Sequence, residues 1–235
     1  MNIILKRAVT AMLVSAACIH GRCDVKPDAQ GVVVIPSSWT VIPFMKFYQC
    51  KDLKSVEIPR SVTEIAAYAF SESGLEVLFF EVNSHMETIS GGAFEDTHMT
   101  SVEIPKSVTE IAAYAFYQSG LEVLLFEAES RLETIGSYAF ANTHIQSVEI
   151  QQSVQRIGRR AYSFSSLLEL IFEAKSRLET IGALAFDHTN LQTINIPTNV
   201  TIGSDAFKRT SCDDASIFVA GKDICNCVRC ASVKS

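Results

Sequence analysis

The sequence predicts a repeat solenoid of stacked coils, mainly parallel β, and three observations carry that prediction. A unit of 46 residues recurs over residues 53–98, 99–144 and 145–190, each time with halves of 22 and 24 residues. Each half follows the pattern L-x-x-V-x-I-P-x-S-V-x-x-I-x-x-x-A-F or a worn version of it, and its Val-x-Ile core has the alternation of a short strand with one buried face. Self-similarity at a fixed period means that neighbouring units share one continuous core. Finally, the cysteines avoid residues 51–211 and gather at the two ends.

Taken in order, residues 1–21 read as a secretory signal. Lys6 and Arg7 precede an apolar run over residues 8–19 that is too short to span a bilayer and is followed by small residues. A lipobox ending at Cys18 and a buried N-terminal helix are the alternatives; Ser15 opposes the first and the flanking charge opposes the second. Residues 22–52 form an N-terminal cap with a degenerate first repeat, in which Ile35-Pro36 aligns with Ile58-Pro59, Trp39 with Val62 and Phe47 with Phe70. An atypical first repeat is what a cap looks like, since its outer face has no neighbour to cover it. Residues 53–211 hold three full pairs and a last single coil, and residues 212–235 leave the repeat as a cysteine-rich C-terminal cap.

Within a coil the strand ends at proline, which has no N–H to give to a ladder. Five of the six prolines follow an isoleucine: Pro36, Pro43, Pro59, Pro105 and Pro197. Val62 and Ile65 then turn inward, and Ala69-Phe70 closes the coil through a short helical or 3₁₀ segment on the convex side. The closing aromatics Phe47, Phe70, Phe94, Phe116, Phe140, Phe186 and Phe207 stack from coil to coil. At about 4.8 Å per strand, eight coils make a slab of roughly 35 to 40 Å.

These residues support a resemblance. The S-V-x-x-I-x-x-x-A-F element with I-P-x-S-V after the strand resembles the leucine-rich repeats of the BspA-like, or Treponema pallidum-type, surface proteins, over residues 30 to about 211. The asparagine ladder of other leucine-rich repeats is absent. The resemblance implies a curved parallel-strand solenoid, exposure at a cell surface, and adhesion to host cells, matrix or other microbes, and it brings no catalytic set.

Side chains at strand positions 3 and 5 point away from the core. Position 5 reads Glu57, Phe79, Glu103, Leu125, Glu149, Ile171 and Asn195 down the stack; position 3 reads Ser55, Val77, Ser101, Val123, Ser147, Glu169 and Thr193. Acidic-serine rows therefore alternate with apolar rows. Exposed apolar groups rimmed by polar ones mark interaction sites, so Glu57, Val77, Phe79, Glu103, Val123, Leu125, Glu149 and Ile171 are the candidate ligand-binding face. The competing reading is that neighbouring side chains cover the apolar members and the alternation only records duplication of a two-coil unit.

With Cys18 in the removed segment, six cysteines remain: Cys23, Cys50, Cys212, Cys225, Cys227 and Cys230. In an exported solenoid they read as disulfide staples, with Cys23 to Cys50 at one end and two bridges at the other. A zinc ion on the last four is the rival, opposed by an oxidising compartment. His98 and His144 are two coils apart, about 10 Å, too far to share a metal. Asn199-Val200-Thr201 is a glycosylation sequon. A net charge of −6 leaves no basic stripe for nucleic acid. There is no H-E-x-x-H, G-x-S-x-G or phosphate loop, and the aligned glutamates are about 10 Å apart, beyond the carboxylate pair of an inverting glycosidase.

Together these features describe a secreted or surface-exposed solenoid with no enzymatic activity, no cofactor, no resident metal and no membrane span. It binds a protein ligand of a host cell surface or extracellular matrix. Self-association in a coat or matrix is the alternative.

Overall fold

A computed structural model of the chain describes Cys23 and residues 25–210. The signal segment and Cys212, Cys225, Cys227 and Cys230 lie outside the described residues, as does the choice between disulfides and zinc at that end.

Among the described residues there are sixteen strands: the even-numbered ones have two residues each, and the odd-numbered ones have four, except the first of them, with three, and the last, with two. The first coils hold β1 (Val32–Val34), β2 (Val41–Ile42), β3 (Ser55–Ile58), β4 (Glu64–Ile65), β5 (Val77–Phe80), β6 (Thr88–Ile89), β7 (Ser101–Ile104) and β8 (Glu110–Ile111). The later coils hold β9 (Val123–Phe126), β10 (Thr134–Ile135), β11 (Ser147–Ile150), β12 (Arg156–Ile157), β13 (Glu169–Phe172), β14 (Thr180–Ile181), β15 (Thr193–Ile194) and β16 (Thr201–Ile202). Every pairing is parallel, from one coil to the next. The even-numbered strands form one unbroken eight-stranded sheet. The odd-numbered strands divide into β1-β3-β5, β7-β9 and β11-β13-β15. The first two 24-residue coils end at these breaks, so the strand stack of this face is not the single ladder that a uniform period predicts.

The core is the expected one. Val56, Ile58, Val62, Ile65 and Phe70 are buried, and so are most of their equivalents in later coils, while Phe80, Phe126 and Phe172 at the place of Ile58, and Ile202 at the place of Ile65, are partly buried against that core. The aromatic stack runs Phe47, Phe70, Phe94, Phe116, Phe140, Tyr162, Phe186, Phe207, with ring centroids 4.9 to 5.5 Å apart and nearly parallel. Each ring removes a large apolar surface from water, worth about 1.5–3 kcal/mol when fully buried. Below it runs a second ladder that the pattern did not reveal. The hydroxyls of Thr97, Ser119, Thr143, Ser165 and Thr189 each donate to the carbonyl of the aromatic residue three positions earlier, at 2.7 to 2.9 Å.

The segment that closes each coil corrects the expectation of a helical or 3₁₀ turn: among the described residues there is no helix. Tyr68 and Glu72 have φ of 55° and 54°, and the same two places are left-handed in other coils, as at Tyr114 and Gln118 or Arg160 and Phe164. A left-handed residue every fourth position stops a helix from propagating. Amides alternate between two uses. Ala69, Ser71 and Ser73 donate within the turn to Ala66, Tyr68 and Phe70, while Tyr68, Phe70 and Glu72 donate to Gly91, Ala93 and Glu95 of the next coil. A helix would keep these amides to itself; here half of them join the coils, making a third hydrogen-bonded side to the prism. Left-handed conformation costs a non-glycine residue about 1 kcal/mol, and the inter-coil bonds offset it.

The two extra residues of the 24-residue coil form an outward bulge just after the strand, with Asn83, Glu129 and Lys175 left-handed. The glutamate before each bulge ties it to the previous coil. Glu81, Glu127 and Glu173 accept the backbone N–H of Arg60, Lys106 and Gln152 at 2.9, 3.0 and 2.7 Å. Arg60 also pairs with Glu81 through its guanidinium, and these bonds hold the Glu81 carboxyl below the usual carboxylate range.

At the N-terminal end Cys23 and Cys50 form a disulfide with their Cα atoms 5.1 Å apart. Cys50 is fully buried beneath the first coil.

Candidate functional site

The side chains of the odd-numbered strands alternate in and out, as in β7, where Val102 and Ile104 are buried and Ser101 and Glu103 exposed. Register places unlike residues side by side: Glu57 beside Phe79, Glu103 beside Leu125, Glu149 beside Ile171. Phe79 is 59%, Leu125 55% and Ile171 42% exposed, with Val77 and Val123 at 39% and 46%. Neighbouring side chains leave these groups exposed, and duplication of a two-coil unit accounts for the alternation equally well.

One coil escaped the sequence reading. In β1, Val34 is 83% exposed and pairs in register with Glu57. The alternation therefore begins in the degenerate first repeat, whose Val-Val-Val hid its own in–out pattern. Glu57, Glu103 and Glu149 are exposed and in no ion pair among the described residues. No lysine or arginine occurs in the odd-numbered strands from β1 to β13. The face thus offers hydrophobic area, serine hydroxyls and unneutralised negative charge in rows, and no lysine or arginine in these strands.

A second aromatic feature lies on the turn side. Tyr114 stacks on Tyr138 at 4.8 Å, Tyr117 meets Tyr114 edge-on at 5.5 Å, and the Arg160 guanidinium sits 5.9 Å over the Tyr138 ring. The sequence signal was the tyrosine two residues before the core phenylalanine, repeated at Tyr68, Tyr114 and Tyr138.

Among the described residues no group of three or more His, Cys, Asp or Glu side chains is placed to hold a metal ion. His98 and His144 are exposed. Asn199 is exposed in the last turn, with φ of 65°. No helix among the described residues is long and apolar enough to cross a membrane. The hollows between bulges are open and polar, as where Arg131, Gln152, Glu173 and Arg177 meet, and do not enclose a substrate.

The fold matches solved structures of bacterial proteins. The pneumococcal vaccine antigen PcpA superposes with a TM-score of 0.62 at 19% identity, over 79% of this chain and 60% of that one. A leucine-rich cell surface protein from Faecalibacterium prausnitzii gives 0.51 at 24% identity, over 77% of this chain and 46% of that one. The chain thus spans about half to three fifths of these structures, and the likeness is one of fold. A comparison with curated protein sequences finds no match. The family model for the BspA type leucine rich repeat region, however, matches in six copies over residues 30–127 and 87–213. With that match over most of its length, and with the coil geometry described above, the chain belongs to the BspA-type leucine-rich repeat family.

Proposed function

We propose that the protein is a surface or secreted recognition module that binds a protein ligand through the face of its odd-numbered strands. The observation that carries this reading is the exposure of Val34, Val77, Phe79, Val123, Leu125 and Ile171 in rows separated by Glu57, Glu103 and Glu149. Apolar rows supply area to bury; the carboxylates set register and select against acidic partners. The likeness to a pneumococcal vaccine antigen and to a cell surface protein supports a surface location, and the apolar N-terminal run supports export. Adhesion to a host cell or matrix protein with a basic patch is the role that fits this surface.

The same rows argue against the self-associating coat. Two copies packed face to face bring carboxylates against carboxylates or against apolar rows, and never against a cation, which leaves buried charge unpaired.

The test compares the parent chain with the triple variant Phe79→Glu, Leu125→Glu, Ile171→Glu for binding to intact cells and immobilised matrix proteins, with folding checked by circular dichroism. Loss of binding by a folded variant is the expected outcome. Equal binding by both would move recognition to the turn-side aromatics.

A further inference from the structure

The spacing of the rows narrows the kind of partner. Resting on the reading of this face as the recognition surface, we infer that its ligand is an amphipathic α-helix lying along the solenoid axis, with a basic side chain once per heptad and apolar side chains midway between.

The face alternates with a period of two coils. Paired rows are about 4.8 Å apart, and each two-coil repeat also crosses one unpaired step, at β5 to β7 or β9 to β11, so like rows recur at about 9.6 Å or more. On an α-helix, residues i and i+7 share a face 10.5 Å apart, and i+3 and i+4 lie between them on that face at about 4.5 and 6.0 Å. Cations at i and i+7 then meet successive carboxylates, and apolar groups at i+3 and i+4 meet the intervening apolar row. Three such cations span about 21 Å, against roughly 19 Å from Glu57 through Glu103 to Glu149, four rows apart. The misfit over the acidic rows is about 2 Å, within the reach of a lysine side chain.

Other backbones fit less well. An extended strand repeats its facing side chains every 6.6 Å or so, out of step with both spacings. A polyproline helix repeats about every 9.3 Å, which follows the acidic rows, but its intervening residues turn 120° away and leave Phe79 and Leu125 uncovered. Width agrees too: strands of four residues make a face about 13 Å across, and a helix is about 10 Å in diameter. Charge complementarity selects a basic helix, since the odd-numbered strands from β1 to β13 contain Glu57, Glu103, Glu149 and Glu169 and no cation. The flanking Lys54 and Arg60 are already paired with Glu76 and Glu81.

The full-length oxidised protein is titrated with three labelled synthetic peptides, read by fluorescence anisotropy. One is a four-heptad helix with lysine at each first position and leucine at the fourth and fifth. The second has the same composition and helicity, with lysines and leucines redistributed so that no single face carries both. The third is an extended lysine-proline-proline repeat. The heptad peptide is expected to bind at least tenfold more tightly than either of the others. Glu57→Gln, Glu103→Gln and Glu149→Gln together, all at exposed positions, weaken it about tenfold. The charge-reversed set Glu57→Lys, Glu103→Lys, Glu149→Lys regains binding to a heptad peptide carrying glutamate in place of lysine.

Equal binding of the heptad and redistributed peptides, with both lost in the Phe79→Glu, Leu125→Glu, Ile171→Glu variant, overturns the spacing inference and leaves the face as a recognition surface. Tighter binding of the proline repeat overturns the helix, and absence of binding by every peptide overturns the inference as well. Binding of the heptad peptide to the triple variant as strongly as to the parent overturns both readings.

Discussion

Tyr162 is the one member of the aromatic stack that carries a polar atom, and the stack has no use for it. The residue is fully buried, its hydroxyl has no hydrogen-bond partner among the described residues, and desolvation pushes its pKa far above the ordinary value of 10.0. A buried hydroxyl without a partner costs about 1–3 kcal/mol, while the ring itself packs 5.2 and 5.5 Å from Phe140 and Phe186 like its neighbours. Tyr162→Phe is therefore expected to stabilise the fold by about 1–2 kcal/mol in urea unfolding. The pH dependence has a definite sign. The unfolded chain ionises this phenol near pH 10 and the folded chain does not, so the parent loses stability as pH rises through and above that value. The phenylalanine variant should lack that part of the alkaline slope. A parent and variant with identical unfolding curves from pH 7 to 11 would contradict the account. At this scale the sequence was legible in part: the worn repeat placed a tyrosine where phenylalanine belongs, but whether its hydroxyl reaches a partner depends on residues around it from three coils.

The elements are held by close approach between coils as much as by their own composition. Gly136, Gly158, Gly182 and Gly203 follow the inward isoleucine in four coils, and a Cβ added at Gly158 would lie 2.5 Å from the backbone nitrogen of Ser137. Gly158→Ala should consequently destabilise the protein by about 2 kcal/mol or more, through displacement of one coil against the next. A change below 0.5 kcal/mol in denaturant unfolding would show that the coils slide apart at little cost. The central stack makes a second element-scale prediction. Phe116→Ala removes a ring packed between Phe94 and Phe140 and should cost about 3–5 kcal/mol. Strand positions and the inward set were readable from the alternation alone. The closing turns were not, because Ala-Ala-Tyr-Ala-Phe has good local helix propensity and only the carbonyls of the next coil draw its amides out of a helix.

As a whole the molecule is quasi-one-dimensional: each coil touches its neighbours, and the end coils have only one. The N-terminal end meets this with the disulfide between Cys23 and Cys50, which closes a loop of 27 residues. Chain-entropy reasoning puts such a cross-link at about 3.5 kcal/mol. Cys50→Ser should lower stability by about that much, and hydrogen exchange should show the loss first in β1 and β2, fading toward the middle of the stack. Uniform loss of protection along the chain would contradict nearest-neighbour coupling. By itself the sequence determined the stack: its period set the coil length, its alternation chose the buried set, and its cysteine placement assigned a staple to the N-terminal end. These are local or periodic properties, which one strand's residues carry without reference to the rest. Only the tertiary structure decided whether Phe79, Leu125 and Ile171 meet solvent, where the strand sheet breaks, and how the turns bond. Each depends on what an adjacent coil places within a few ångströms, and no single repeat holds that information.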